Sequence, residues 1–139
     1  MKAHFETFDT TADVGITVYG ENLKDIFGQA AIGLFSFITN IKKLDTKISK
    51  SLEINADSYE NLLINWLNEL IFLFDTEGFV GKDIKIKELS ETKLIAMIKG
   101  DFFNEKKHSR GVLIKAATYH KLKLEKKNNG WMATILFDI

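Results

Sequence analysis

Carboxylates are the side chains of this 139-residue chain whose type and spacing suit chemistry best. Asp9 and Asp13 lie in Phe8-Asp9-Thr10-Thr11-Ala12-Asp13-Val14-Gly15, just ahead of a strand-like run. Asp75 and Glu77 follow a long helical pattern, and Asp138 stands beside the terminal carboxylate of Ile139. Hard cations such as Ca²⁺ and Mg²⁺ take oxygen ligands of this kind. If Asp13, Asp138 and the terminal carboxylate converge, they bring together about three negative charges, which raise pKa values or recruit a counterion. Spacing alone favours the plainer reading, solvated turn carboxylates. A second constellation is Lys115-Ala116-Ala117-Thr118-Tyr119-His120. On a strand, Lys115, Ala117 and Tyr119 would face one way, and Ala116, Thr118 and His120 the other. Such a lysine and histidine suit a phosphate or a partner's carboxylate. The plainer reading is an edge strand with a solvated lysine and a hydrogen-bonded histidine. The lysine-rich stretch 104–110 reads as a mobile surface loop.

Much other chemistry is excluded. The chain has no cysteine, so it has no disulfide, no thiolate zinc site and no cysteine nucleophile. Gly28 and Gly33 have P-loop spacing, but Leu34 follows where a lysine is required, and both glycines fall on a helical pattern. His4, His108 and His120 are too scattered for a zinc motif. No G-x-S-x-G is present, and nothing points to nucleophilic catalysis. The 19 basic residues balance 19 acidic ones, and Arg110 is the one arginine. Direct sequence-specific binding of nucleic acid is therefore not expected, since it draws on basic excess and arginine forks. The first residues lack the apolar core of a signal peptide. No apolar run approaches the ~20 residues that span a bilayer. The expectation is a cytoplasmic protein with no membrane partner.

The elements that must position these groups are legible from periodicity. Leu23, Ile26, Phe27, Ala30, Ala31, Leu34, Phe35 and Ile38 make one helical face, with Asn22 as its N-cap. Leu62, Leu63, Trp66, Leu67, Leu70, Ile71 and Phe74 make a second. Asp57 and Glu60 resemble a capping box before it, and Gly78 stops it. Strands are predicted at 14–19, 48–54, 84–88, 92–99, 112–125 and 131–137, with a turn at Asn128-Asn129-Gly130. Short connections favour antiparallel pairing. The predicted fold class is α+β: a mostly antiparallel β-sheet covered by two main helices, one domain over 1–139. The length suits one domain.

The blocks Phe8-Asp9-x-Thr11-Ala12-Asp13-Val14-Gly15, Asn65-Trp66-Leu67-Asn68-Glu69-Leu70, Phe74-Asp75-Thr76-Glu77-Gly78, Lys115-Ala116-x-Thr118-Tyr119-His120 and Phe137-Asp138-Ile139 together resemble the archease family. They run in family order from residue 8 to the C-terminus. Two positions depart from its pattern: Thr10 replaces a usual histidine, and Asn65 a usual aspartate. The resemblance implies an accessory factor, itself no enzyme, for an RtcB-type RNA ligase. Such a ligase joins RNA ends in tRNA splicing and repair after taking GMP from GTP onto a histidine. Archeases promote that guanylylation and let the ligase turn over. The resemblance also implies a divalent metal (Ca²⁺, Mg²⁺ or Mn²⁺) held by Asp13, Asp138 and Ile139, the last through its terminal carboxylate or main chain. Asp9, Glu69, Lys115 and His120 would then support those ligands or face the partner. The alternative within the resemblance is a chaperone-like modulator of a tRNA methyltransferase or another RNA-processing enzyme. A partner-free metal-dependent hydrolase is a third reading.

Overall fold

A computed structural model describes residues 2–139. The strands are β1 (His4–Asp9), β2 (Asp13–Gly20), β3 (Ile48–Asn55), β4 (Phe79–Leu89), β5 (Lys93–Phe102), β6 (Ala116–Lys127) and β7 (Gly130–Asp138). Helix α1 (Leu23–Ile38) follows β2, and α2 (Tyr59–Glu77) follows β3. The antiparallel α+β reading holds. The strands divide between two sheets, one ordered β1-β2-β7-β6 and the other β3-β5-β4.

Strand alternation builds the core. On β2, Val14, Ile16 and Val18 are buried against the helices, while Asp13, Thr17 and Tyr19 point to the other face and are half-buried. On β7, Ala133, Ile135 and Phe137 take the core side. Helix α1 packs on β2 of the first sheet and β4 of the second, which joins the sheets; α2 packs chiefly on β6. The two helices meet where the Trp66 indole N–H donates to the Phe27 carbonyl at 3.0 Å, with Trp66 wholly buried. A buried indole needs such a partner.

Helix ends follow their caps. Asn22 caps α1, its side chain accepting from the Asp25 N–H at 2.9 Å. Helix α2 is capped by Ser58 rather than Asp57: the Ser58 hydroxyl accepts from the Asn61 N–H at 3.1 Å. Asp57 instead takes the Asn61 side-chain amide. Gly78 ends α2 in the left-handed region, φ 73°, where a side chain would be strained.

Two further expectations are corrected. The strand predicted from Val112 begins at Ala116. The Gly111 and Val112 N–H groups donate to the Ile38 and Phe37 carbonyls, at 2.9 and 2.7 Å, so this segment caps the end of α1 instead of joining a sheet. The stretch 104–110 is fastened rather than loose. His108 is buried, its Nδ1 accepts from the Asn104 N–H at 2.9 Å, and the Ser109 carbonyl accepts from the Thr39 hydroxyl at 2.6 Å.

Strand β6 is an edge of its sheet, and α2 covers part of it. The Asn68 amide brackets Ala117: Oδ1 accepts from the Ala117 N–H at 2.8 Å, and Nδ2 donates to its carbonyl at 3.3 Å. Asn68→Ala leaves both backbone groups without these partners. We expect a loss of about 1–3 kcal/mol in urea unfolding; a change below about 0.5 kcal/mol would show that water replaces the amide without cost.

Candidate functional site

The β1–β2 turn sets Asp13. The Thr10 N–H donates to the Asp13 carbonyl at 2.9 Å, and the Thr10 hydroxyl accepts from the Asp13 N–H at 3.0 Å. Thr10 thus closes this turn. Asp13 pairs in register with Asp138 across β2 and β7. Residues directly opposite on antiparallel strands share a face, with Cβ atoms ~4.5–5.5 Å apart. Like charges placed so repel, and a shared cation removes the repulsion.

The other expected residues distribute unevenly. Lys115 is exposed, and its backbone N–H donates to the Asp138 carbonyl at 2.8 Å, so it adjoins the carboxylate pair. Ile139 follows Asp138 and is largely exposed. Asp9 pairs with Val14, a core-facing residue, and so belongs to the opposite face from Asp13. Glu69 lies on α2 in a separate groove with Glu53, Asn55, Asn65 and Phe72. Asp75 is exposed, and Glu77 pairs with Lys50. Among the described residues no three His, Asp or Glu side chains form a ready metal cluster. The fit to a divalent cation rests on the hard oxygens of Asp13 and Asp138, with further oxygens from the chain end or from outside the protein.

The structure adds a feature that spacing does not reveal. Between Thr118–Leu136 and Lys123–Thr134 the β6 register breaks, and Tyr119, His120, Lys121 and Leu122 stand against Ile135 alone. Lys121 sits there at φ 53°, the sole described non-glycine residue at positive φ. The bulge gathers His120, Lys121 and Lys123 over a cleft of about 310 Å³ that also includes Asp13, Thr10 and Thr134. Phe8 and Leu136 complete its lining. The Phe8 ring lies across Gly15, where a Cβ would come within 2.4 Å of it. His120 therefore joins Asp13 in one cavity, and Lys121 and Lys123 are site residues that sequence reasoning missed. The strict alternation Lys121-Leu122-Lys123-Leu124-Glu125 conceals the break. Tyr119 leaves the strand pairing and donates its hydroxyl to Asn61 Oδ1 at 2.8 Å. At the far end of β6, a hydrogen bond from Lys127 and then its charge hold the Glu125 carboxyl below its ordinary range.

A left-handed lysine costs ~1–2 kcal/mol that glycine avoids, though glycine loses more freedom on folding. Lys121→Gly is expected to leave thermal stability unchanged or to raise it by up to about 1 kcal/mol. A loss of more than that would mean that the lysine side chain itself holds the bulge.

Solved structures share this two-helix, two-sheet architecture. The solution structure of a Methanobacterium thermoautotrophicum protein is 31% identical, with a TM-score of 0.81, covering 97% of this chain and 98% of that one. The crystal structure of a Thermotoga maritima archease, described as a possible chaperone, is 25% identical, with a TM-score of 0.68, covering 95% and 94%. The class is thus a small α+β domain with two antiparallel sheets. The model of the Archease protein family matches residues 5–139. The archease of Pyrococcus furiosus is 38% identical over 139 residues, covering 97% of this chain and 98% of the relative. That of Saccharolobus islandicus is 40% identical over 137 residues, with the same coverage. The chain belongs to the archease family. Among the described residues, no helix is long and apolar enough to cross a membrane.

Proposed function

We propose that this protein activates an RtcB-type RNA ligase by promoting its GTP-dependent guanylylation and its multiple turnover. The observation that carries the reading is the facing register of Asp13 and Asp138. Two aspartates on neighbouring strands, their backbones about one strand spacing apart, suit a hard divalent cation, with Ile139 adding its carboxylate or main-chain oxygen. Such a cation would supply charge stabilisation to phosphates in the partner's site. The chain's own part is to hold the carboxylates on rigid strands. Lys115, adjoining Asp138, would meet a phosphate or a ligase carboxylate, and His120 would face the same region. Asp9 and Glu69, which lie on other surfaces, would serve as partner contacts.

The test is guanylylation of a competent RtcB-type ligase by labelled GTP with substoichiometric protein. Stimulation is expected; its absence would overturn the reading. A peptide extension after Ile139 is expected to impair stimulation at least about tenfold, the lower bound for disturbing a metal site's surroundings, while an N-terminal extension leaves it unchanged. Equal activity of the two would remove Ile139 from the site.

The description of the Thermotoga relative as a possible chaperone favours a second reading. In it, the protein modulates the folding of a tRNA methyltransferase or another RNA-processing enzyme. Suppression of that enzyme's aggregation, insensitive to Asp13 and Asp138, would favour this reading.

A further inference from the structure

The geometry points to a nucleoside monophosphate site in the cleft beneath the β6 bulge. Three features meet there. First, the ligand-sized space lies on the sheet face turned away from the helices, near the lower end of the ordinary range for small-molecule pockets. Second, its lining is divided by strand. Asp13 lies on β2, Leu136 and Thr134 on the intervening β7, and His120, Lys121 and Lys123 on β6. Asp13 is level with Asp138 and Lys123 with Thr134, so the acid and the cations are separated by two strand spacings across the sheet, about 10 Å, and by up to four residues along it, about 13 Å, a gap that the long lysine side chains reach into. Third, the cations are placed by a costly device, four residues bulged against one with Lys121 in a left-handed conformation. Bulges re-aim side chains, and strained backbone concentrates where a ligand is held.

The ligand's chemistry follows from the lining. Lysine and histidine at the bulge suit a phosphate. The half-buried Phe8 ring, set beside the buried Leu136, offers an apolar surface for a flat base. Asp13, at the opposite side, accepts hydrogen bonds from N–H or O–H groups of the base or ribose. One ligand that carries an anion, a flat ring and donor groups over this span is a nucleoside monophosphate. The site shares Asp13 and His120 with the ligase reading, but its binding requires no partner protein, so its test succeeds or fails independently of that reading.

The experiment is calorimetric titration of the isolated chain with AMP, GMP, CMP and UMP, beside inorganic phosphate and adenosine alone. At least one nucleotide is expected to bind with Kd below about 1 mM, at least about tenfold tighter than phosphate, the gain expected of one stacked base. Lys123→Ala is expected to weaken that binding about tenfold, the loss of a charge-assisted contact. Lys121→Gly should do the same without loss of thermal stability, because glycine suits the backbone there. Lys85→Ala, on the other sheet, serves as control and should change nothing. No saturable nucleotide binding up to about 10 mM would overturn the proposal. So would phosphate binding as tightly as the nucleotide, or nucleotide binding indifferent to both Lys121→Gly and Lys123→Ala.

Discussion

Asp13→Ala and Asp138→Ala are each expected to lower stimulation of ligase guanylylation at least about tenfold, the lower bound seen when even indirect supports of a metal are removed. The same variants should lose calorimetric binding of Mn²⁺ or Ca²⁺. Stability provides the contrast. The two aspartates stand opposite each other in the register of β2 and β7, where like charges oppose folding. Without metal, either substitution should leave the melting temperature unchanged or raise it. A variant that melts lower and stimulates less would report damage to the sheet. A folded Asp138→Ala variant with undiminished stimulation would remove the metal assignment. In that case Lys115 is the next position to change.

Trp66→Ala has the largest expected effect on stability. The indole is wholly buried between the helices and donates to the Phe27 carbonyl. Truncating such a side chain costs about 3–5 kcal/mol through lost burial and the cavity left behind. For a chain of this size that is roughly 10–20 °C in melting temperature. Trp66→Phe keeps most of the apolar volume and should cost far less, about 1 kcal/mol or somewhat more for the lost hydrogen bond. Equal losses from the two would make the hydrogen bond, not the packing, the dominant contribution.

The helices and the core were legible because their apolar residues recur at helical spacing. Ile26, Phe27, Ala30, Ala31, Leu34, Phe35 and Ile38 are all buried, as are Leu62, Leu63, Trp66, Leu67, Leu70 and Ile71. Strand β1 was not legible. As a sheet edge it keeps only Phe5 and Phe8 half-buried, and its alternation is too brief to read. The two-sheet division was also hidden, since β2 pairs with β7 across most of the chain and local pattern carries no such information. That same pairing brings Asp13 to Asp138, so resemblance named both residues where spacing alone left them as solvated turn acids. The bulge was the deepest omission. Hydrophobic alternation is intact on both sides of it, and only the partner strand reveals that four residues face one. For Glu69 and Asp9 the resemblance offers two roles, support for the ligands or contact with the partner, and their placement on other surfaces suits only the second.

The position of β7 has a consequence for how the protein comes into being. The last strand lies between β2 and β6 rather than at an edge. Domains made on the ribosome generally fold as units, and long-range pairings close late. Until β7 has been synthesised, β2 lacks its inner neighbour and Asp13 lacks Asp138. The second sheet, β3-β5-β4, and both helices are made earlier and can begin to associate. A nascent or prematurely terminated chain therefore has scaffold without the carboxylate pair. The proposed working surface thus forms only after the scaffold that holds it.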